Sequence, residues 1–512
     1  MLVRTFASAV TGIDAVTVTI EVNVSQGIRF FLVGLPDVAV KESQQRIESA
    51  FRILGFNWPG RQVVINMAPA DIRKEGSAYD LPLAAAILAA NERMATADLE
   101  SYVIMGELSL DGTLQPVKGI LPIALRAREE GFRGIIVPVR NAREAAVVSG
   151  LIVYGMENFG EVVGFFNGTM KFDPVTVDLK EIFNSEANKY DVDFSDVRGQ
   201  ENVKRALEVA AAGGHNLLMV GPPGSGKTML AKRLPTIIPP LTLEEALETT
   251  KIHSVAGKID GHTALMTRRP FRSPHHTISD VALVGGGTFP QPGEISLGHN
   301  GVLFLDELPE FKRTVLEVMR QPLEDRVITI SRAKSTVNYP ASFMLVASMN
   351  PCPCGFHNHP EKQCTCSQGM VQKYLNRISG PLLDRIDIHI EVVPVKYEKL
   401  SDFGKIEKSE TVRERVVKAR TIQAKRFASA KGIYANAQMS PSMQRKYCQL
   451  DEAGGRLLKN AMDMRGLSAR AYDRILKVAR TIADLADSEN IGAEHISEAI
   501  NYRNLDREGW AG

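Results

Sequence analysis

The sequence predicts a multidomain α/β chain that ends in an all-helical segment, and three observations carry that prediction. Its 512 residues exceed what one ordinary hydrophobic core organises, so two to four domains are expected. Strand-like and helical runs alternate over residues 1–170 and again over 194–395. Beyond 396 the periodicity is helical throughout. Composition is that of an ordinary globular protein, with 44% hydrophobic and 23% charged residues, 61 Lys and Arg against 59 Asp and Glu, and a formal charge of +2. Global charge therefore names no partner. The longest strongly apolar stretches, such as 81–90, fall far short of the ~20 residues that span a bilayer. Residues 1–22 alternate polar and apolar positions as a strand does, without the unbroken apolar run of a secretory signal. A cytoplasmic chain without a membrane span is expected.

Within 1–170, the runs 15–24, 28–33, 63–66 and 135–139 read as strands, and 40–54, 81–92 and 121–130 as helices. Residues 171–193 lose helical periodicity, carry Pro174 and several polar residues, and read as a linker. The second α/β region, 194–395, is interrupted by Gly/Pro-rich loops at 221–226, 285–293 and 351–355. In 396–512 the helical runs are 410–427, 441–447, 452–464, 469–485 and 493–503. No internal repeat or low-complexity tract is present.

The strongest chemical signal is NLLMVGPPGSGKT at 216–228, an apolar strand followed by a glycine loop and a helical run. Backbone N–H groups from Gly221, Pro223's neighbours Gly224 and Ser225, and Gly226 can curl around phosphates, with Pro222 and Pro223 shaping the loop. Lys227 reaches the β- and γ-phosphates, and the Thr228 hydroxyl ligates Mg²⁺. Downstream, GVLFLDEL at 301–308 places two carboxylates at the end of a buried strand, and the spacing suits a parallel strand beside the P-loop strand. Asp306 then holds Mg²⁺ through water and Glu307 polarises the attacking water. Together these motifs imply nucleotide hydrolysis.

A third strand, 343–348, leads to Asn350, which either senses the γ-phosphate or simply ends the strand. In GPLLDRIDIHIEV, Arg385 lies between two acids. It either reaches a neighbouring subunit's γ-phosphate or forms a local salt bridge to Asp384 or Asp387. Four of the five cysteines fall in CPCGFHNHPEKQCTC, with His357 and His359 between two CxC pairs. Cys352, Cys354, Cys364 and Cys366 can close a tetrahedral Zn²⁺ site, the other readings being a redox pair or loose thiols. Cys448 reads as core. Residues 411–480 hold sixteen Lys/Arg against five Asp/Glu, and two further basic segments lie at 268–276 and 326–340, the latter a β-hairpin. These segments either meet nucleic-acid phosphates in a pore or serve as solvated faces and packing surfaces.

The order GPPGSGKT, LFLDE, SMN, LLDRID and LSARAYDRILKVARTIADL resembles the AAA+ ATPases of the magnesium-chelatase-like YifB/ComM family. The resemblance extends to FRSPHHTISD, the cysteine cluster, GLPDVAVKES and GELSLDGTLQPVKGI, and so covers essentially the whole chain. It implies a Lon-protease-like α/β domain over 1–170, a linker over 171–193, an AAA+ P-loop core with a four-cysteine insertion over 194–395, and an α-helical magnesium-chelatase-type lid over 396–512. It assigns Lys227 and Thr228 to Walker A, Asp306 and Glu307 to Walker B, Asn350 to sensor 1, Arg385 to the arginine finger and Arg470 to sensor 2, with Arg474 the alternative. It further implies a homo-hexameric motor using ATP and Mg²⁺ on single-stranded or branched DNA, promoting branch migration beside recombination proteins. Arg332 and Lys334 are then the candidate DNA contacts. A chelatase-type ATPase subunit and an ATP-gated protein remodeller are the competing functions.

A Lon-type protease needs a Ser-Lys dyad. Here the nucleophile segment reads KEGSAYD, placing Ala78 at the serine position with Ser77 one place off. The segment PVKGIL places Leu121 at the lysine position, with Lys118 three residues earlier. Both members are missing, so no proteolysis is expected.

Overall fold

Period-two alternation at the N-terminus folds as a long antiparallel hairpin of β1 (Leu2–Thr11) and β2 (Asp14–Ser25), with Leu2 opposite Asn23 and Thr11 opposite Asp14. The computed structural model describes residues 1–186, 190–287, 290–332, 335–357, 359, 361–395, 407–430 and 432–503. After the hairpin come β3 (Phe30–Val33), β4 (Gln62–Ala68) and β5 (Tyr102–Ile104). A small hairpin of β6 (Glu107–Leu108) and β7 (Leu114–Gln115) follows, then β8 (Gly134–Pro138) and β9 (Ile152–Met156). Seven of these strands form one mixed sheet in the order β3-β4-β2-β1-β5-β8-β9. Helix Asp80–Ala90 packs on β1 and β2 with every residue buried, which explains why its sequence is apolar all round instead of amphipathic.

The 171–193 stretch, expected as a linker, departs from that expectation. It contains helix Leu179–Glu186, and Leu179, Ile182 and Phe183 pack against the first domain's core. Ahead of the helix, Val175 N–H donates to Val153 O of β9 at 2.9 Å. Val175, Val177 and Leu179 alternate with polar residues, a strand-like period that masks a segment bound to the sheet's edge.

The second region builds a five-stranded, wholly parallel sheet from β10 (Leu217–Val220), β11 (Phe271–Arg272), β14 (Val302–Leu305), β17 (Met344–Met349) and β18 (Ile388–Glu391). Two hairpins interrupt it, β12 (Gly285–Gly286) with β13 (Gln291–Pro292), and β15 (Val327–Arg332) with β16 (Ser335–Pro340). The order is β11-β14-β17-β10-β18. The strand carrying Asp306 is therefore parallel to the P-loop strand but not beside it, since β17 lies between them. The apolar run of a parallel strand buried on both faces carries no mark of its neighbour, so spacing could not reveal this insertion.

Beyond it, helices Ser409–Arg426, Pro441–Tyr447, Glu452–Arg465, Ala469–Leu485 and Ala493–Asn501 follow the periodicity closely. Ser440, Asp451 and Ser468 cap three of them, accepting from the N–H of Met443, Gly454 and Ala471. Val416, Ile475, Ala479 and Ile496 share one apolar cluster with Leu207 and Leu217 of the second region, and Cys448 is buried in it. Part of the basic run over these helices is spent on packing. Arg413 donates to Thr236 O at 3.0 Å, Arg420 to Ala211 O at 3.1 Å, Arg415 pairs with Glu208, and Arg426 and Arg480 converge on buried Asp484.

The first domain is likewise sealed to the second. Leu241, Ala246, Ala264 and Leu265 join its core, and Ser254 Oγ donates to buried Glu144, which also accepts from the Leu121 N–H at 3.0 Å. Burial pushes the Glu144 carboxyl up. Among the described residues, no helix is long and apolar enough to cross a membrane.

Candidate nucleotide site

The glycine loop leaves β10 and enters helix Lys227–Arg233, whose first turn is preceded by Gly226 at φ +90°, a left-handed conformation that favours glycine. Lys227 is the first helical residue and is 8% exposed. Its Nζ donates to Gly221 O at 2.7 Å, Pro222 O at 2.9 Å and Asn350 Oδ1 at 3.2 Å. Burial lowers its affinity for the proton, an effect that Asp306 and Glu307 oppose. Ser225 Oγ is buried in the same loop without a hydrogen-bond partner among the described residues. An orphaned hydroxyl beside a lysine and a helix N-terminus fits a bound phosphate.

Although β17 separates their strands, Thr228 and Asp306 meet: the Thr228 hydroxyl donates to Asp306 Oδ2 at 2.7 Å. Ser348, on the intervening β17, donates its hydroxyl to Asp306 Oδ1, and the Glu307 N–H donates to the same oxygen at 3.1 Å. These contacts aim a carboxylate and a hydroxyl at one point, the oxygen-rich donor set that suits Mg²⁺. Glu307 follows at φ +54°, its side chain 56% exposed beside the loop. Sequence spacing found Thr228 and Asp306. Ser348 was not found, because one serine in an apolar strand gives no periodic signal.

Arg385 lies apart from this pocket. It is 7% exposed, ion-paired to Glu324 and donating to Pro381 O. Neither acid anticipated as its local partner is used. Asp384 instead pairs with Arg470 at 2.9 Å, and Asp387 with Arg474 and His215, both at 3.0 Å. Burial raises the Asp387 carboxyl, but Arg474 and His215 prevail and hold it well below the usual carboxylate range. His215 Nε2 lies 2.8 Å from Thr481 Oγ1, so this buried network ties the Arg385 segment to helix Ala469–Leu485.

The four cysteines are free thiols whose sulfur atoms all lie within 4.8 Å of one another. Cys352 Sγ is 3.3 Å from Cys354 Sγ and 3.7 Å from Cys364 Sγ, and Cys354 to Cys364 is 3.5 Å. Thiolates bound at ~2.3 Å to a tetrahedral Zn²⁺ stand ~3.8 Å apart, so the cluster fits that ion. Backbone N–H groups of Phe356 and Thr365 pull the Cys354 thiol down, while the neighbouring sulfurs push Cys364 and Cys366 up, as expected of four thiols crowded together without a cation between them. The knuckle abuts the nucleotide loop: at Gly355, φ +85°, a Cβ would collide with the Pro223 ring.

The basic hairpin β15–β16 packs on the uncharged β12–β13 hairpin, with Tyr339 Oη donating to Pro290 O at 2.6 Å. Ile328, Ile330, Val337 and Tyr339 are buried, and a Cβ at Gly12 would stand 2.8 Å from Val337, so the first domain's β1–β2 turn touches this hairpin. Of the two candidate DNA contacts, Arg332 ends β15, and Lys334 lies outside the described residues. In the first domain, Ser77 Oγ donates to Glu107, whereas Lys118 runs along Gly257 of the second region and Leu121 is fully buried.

Three family profiles match the chain: subunit ChlI of Mg-chelatase over residues 20–141, magnesium chelatase, subunit ChlI, over 193–400, and its C-terminal part over 406–503. The chain is 44% identical over 505 residues to competence protein ComM of Haemophilus influenzae, covering 98% of this chain and 97% of that one. It is 43% identical over 502 residues to YifB of Salmonella typhimurium, with 98% and 96% covered. Lon protease 2 of Bacillus subtilis shares 33% identity over 154 residues, 27% of this chain and 26% of that one. With these matches spanning both sheets and the helical end, the chain belongs to the YifB/ComM family of magnesium-chelatase-like AAA+ proteins.

Proposed function

We propose that the chain is an ATP-hydrolysing cytoplasmic motor that works as a homo-hexamer on single-stranded or branched DNA, in the manner of a branch-migration helicase. The observation that carries the ATPase reading is the meeting of Lys227, Thr228, Asp306 and Asn350 around one glycine loop from three different strands. ATP supplies the transferable γ-phosphoryl group and Mg²⁺ the bridging positive charge. Around them, Lys227 would hold the β- and γ-phosphates, Thr228 and Asp306 the metal, and Glu307 the proton of the attacking water. Asn350 would orient that water. Arg385 would complete a neighbour's site as the arginine finger, and Arg470 would act as sensor 2.

The DNA reading is supported by the likeness to ComM and by the two clustered hairpins. Its test is the ATP turnover of the full chain with and without single-stranded and forked DNA across a salt series. Turnover should rise with DNA and the rise should fade with salt, because phosphate contacts release counterions. A ring whose turnover ignores DNA at every salt concentration refutes it and favours a protein remodeller or a chelatase-type subunit. The displaced Ser77, Lys118 and Leu121 support the absence of protease activity.

We also propose a structural Zn²⁺ at Cys352, Cys354, Cys364 and Cys366. Purified protein should carry about one Zn²⁺ per chain, lost in the Cys352→Ser/Cys366→Ser variant. Because Gly355 lies on Pro223, the same variant should also bind nucleotide more weakly. Metal-free wild-type protein with an unchanged melting curve rules the site out.

A further inference from the structure

We propose that Glu324 is the positioning residue for Arg385: it parks the guanidinium within its own subunit and must release it before Arg385 serves a neighbour's nucleotide. The proposal rests on the reading of Arg385 as the arginine finger. That role meets a geometric obstacle, because a side chain only 7% exposed reaches no other subunit as it stands. The backbone around it is fixed, the Arg385 N–H donating to Leu382 O and Asn216 Nδ2 donating to Arg385 O, both at 3.0 Å. Only the side chain is left to move. Its Nη2 is held by Glu324 and its Nη1 by Pro381 O, while Nε is buried without a hydrogen-bond partner among the described residues. A buried, unpaired N–H costs free energy that a better-matched acceptor recovers, so this arrangement is a resting one.

Glu324 is itself firmly placed. It lies on the short helix Arg320–Asp325, where Pro322 is buried and Leu323 packs against the core, so that Glu324 and Asp325 are left exposed. Both line a cleft of about 510 Å³ with Arg385, Glu317, Arg320 and Ile328. Inside it Arg320 pairs with Glu317 at 3.0 Å and Arg385 with Glu324, which leaves the Asp325 carboxylate without a partner among the described residues. Three carboxylates against two guanidiniums repel a phosphate. The γ-phosphate of a neighbour therefore does not enter the cleft, and Arg385 swings out to it. In that exchange one anion replaces another on the same guanidinium: Glu324, 57% exposed, is taken up by water, and the planar fork passes to phosphate oxygens. ADP offers no γ-phosphate, so beside ADP the arginine stays parked.

The test measures, by sedimentation, the protein concentration at which half of the full-length chain assembles, with Mg²⁺ and either AMP-PNP or ADP. Wild type, Glu324→Gln, Arg385→Ala and the double variant are compared, alongside ATP turnover below the wild-type midpoint. Glu324→Gln keeps the size of the side chain but loses the charge that holds the guanidinium. With AMP-PNP it should lower the midpoint about fivefold and raise turnover at low protein concentration, because less is lost in unparking the finger. With ADP it should change nothing. In the Arg385→Ala background the Glu324→Gln change should have no effect with either nucleotide. An equal shift with ADP, or the same shift in the Arg385→Ala background, would overturn the proposal and mark Glu324 as a charge repelling the neighbouring subunit. Lower turnover in Glu324→Gln, or an unmoved midpoint with AMP-PNP, would overturn it too. Normal ATP turnover by Arg385→Ala would instead refute the finger reading on which it rests.

Discussion

Glu307→Gln is expected to bind ATP and retain it. The amide keeps the size and polarity of the carboxylate but cannot take a proton, so substrate binding survives while water activation is lost. General-base contributions of this kind amount to about 10²- to 10⁴-fold in rate. Lys227 and Thr228 do not depend on Glu307: Lys227 Nζ is held by Gly221 O, Pro222 O and Asn350, and Thr228 by Asp306. Rapid-filtration measurement of retained nucleotide against turnover checks the expectation. Wild-type turnover in Glu307→Gln would remove Glu307 from the chemistry and return the role to another group at the strand tip.

Arg385→Ala should fold, bind ATP and fail to hydrolyse it. An arginine supplied by a neighbouring subunit contributes about 10³- to 10⁵-fold to phosphoryl transfer. Some stability should be lost with the buried Arg385 side chain and its bond to Pro381 O, but Glu324, 57% exposed, can be solvated by water, so the variant should still fold. The decisive form of the experiment is mixing. Subunits carrying Arg385→Ala retain an intact P-loop, and subunits carrying Lys227→Ala retain an intact arginine. Each homogeneous ring should be silent, whereas mixed rings should regain a fraction of wild-type turnover wherever a sound P-loop meets a sound Arg385. Normal turnover by Arg385→Ala alone would sink the assignment, and silence of every mixture would show that Arg385 serves its own site.

Much of the site was legible because its chemistry is local in sequence. The loop from Gly221 to Thr228 needs consecutive backbone N–H groups, so its residues must be neighbours in the chain as well as in space. The cysteine cluster is similar, two short-range pairs that one turn brings together. The contact of Ser348 with Asp306 was not legible, because it joins the ends of two strands whose order no local pattern records. The partners of Arg385 illustrate the same limit. Two flanking acids looked suited to it, yet helix Arg320–Asp325 brings Glu324 to it and leaves Asp384 and Asp387 to arginines from the C-terminal helices.

The sequence by itself determined the alternation of strands and helices, the helical end, the glycine loop, the paired carboxylates and the cysteine cluster, since each is written in short-range periodicity or spacing. Only the tertiary structure decided that β17 stands between the P-loop strand and the Asp306 strand, and that residues 175–183 pack on the first domain. It also decided that Arg413, Arg415, Arg420, Arg426 and Arg480 of the C-terminal helices turn inward on carbonyls and acids, and that residues of the second region join the first domain's core. The physical reason is common to all four. Strand order, side-chain direction and domain docking are set by which apolar faces bury one another, and hydrophobic burial is non-directional, so a sequence records that a face is apolar without recording what covers it.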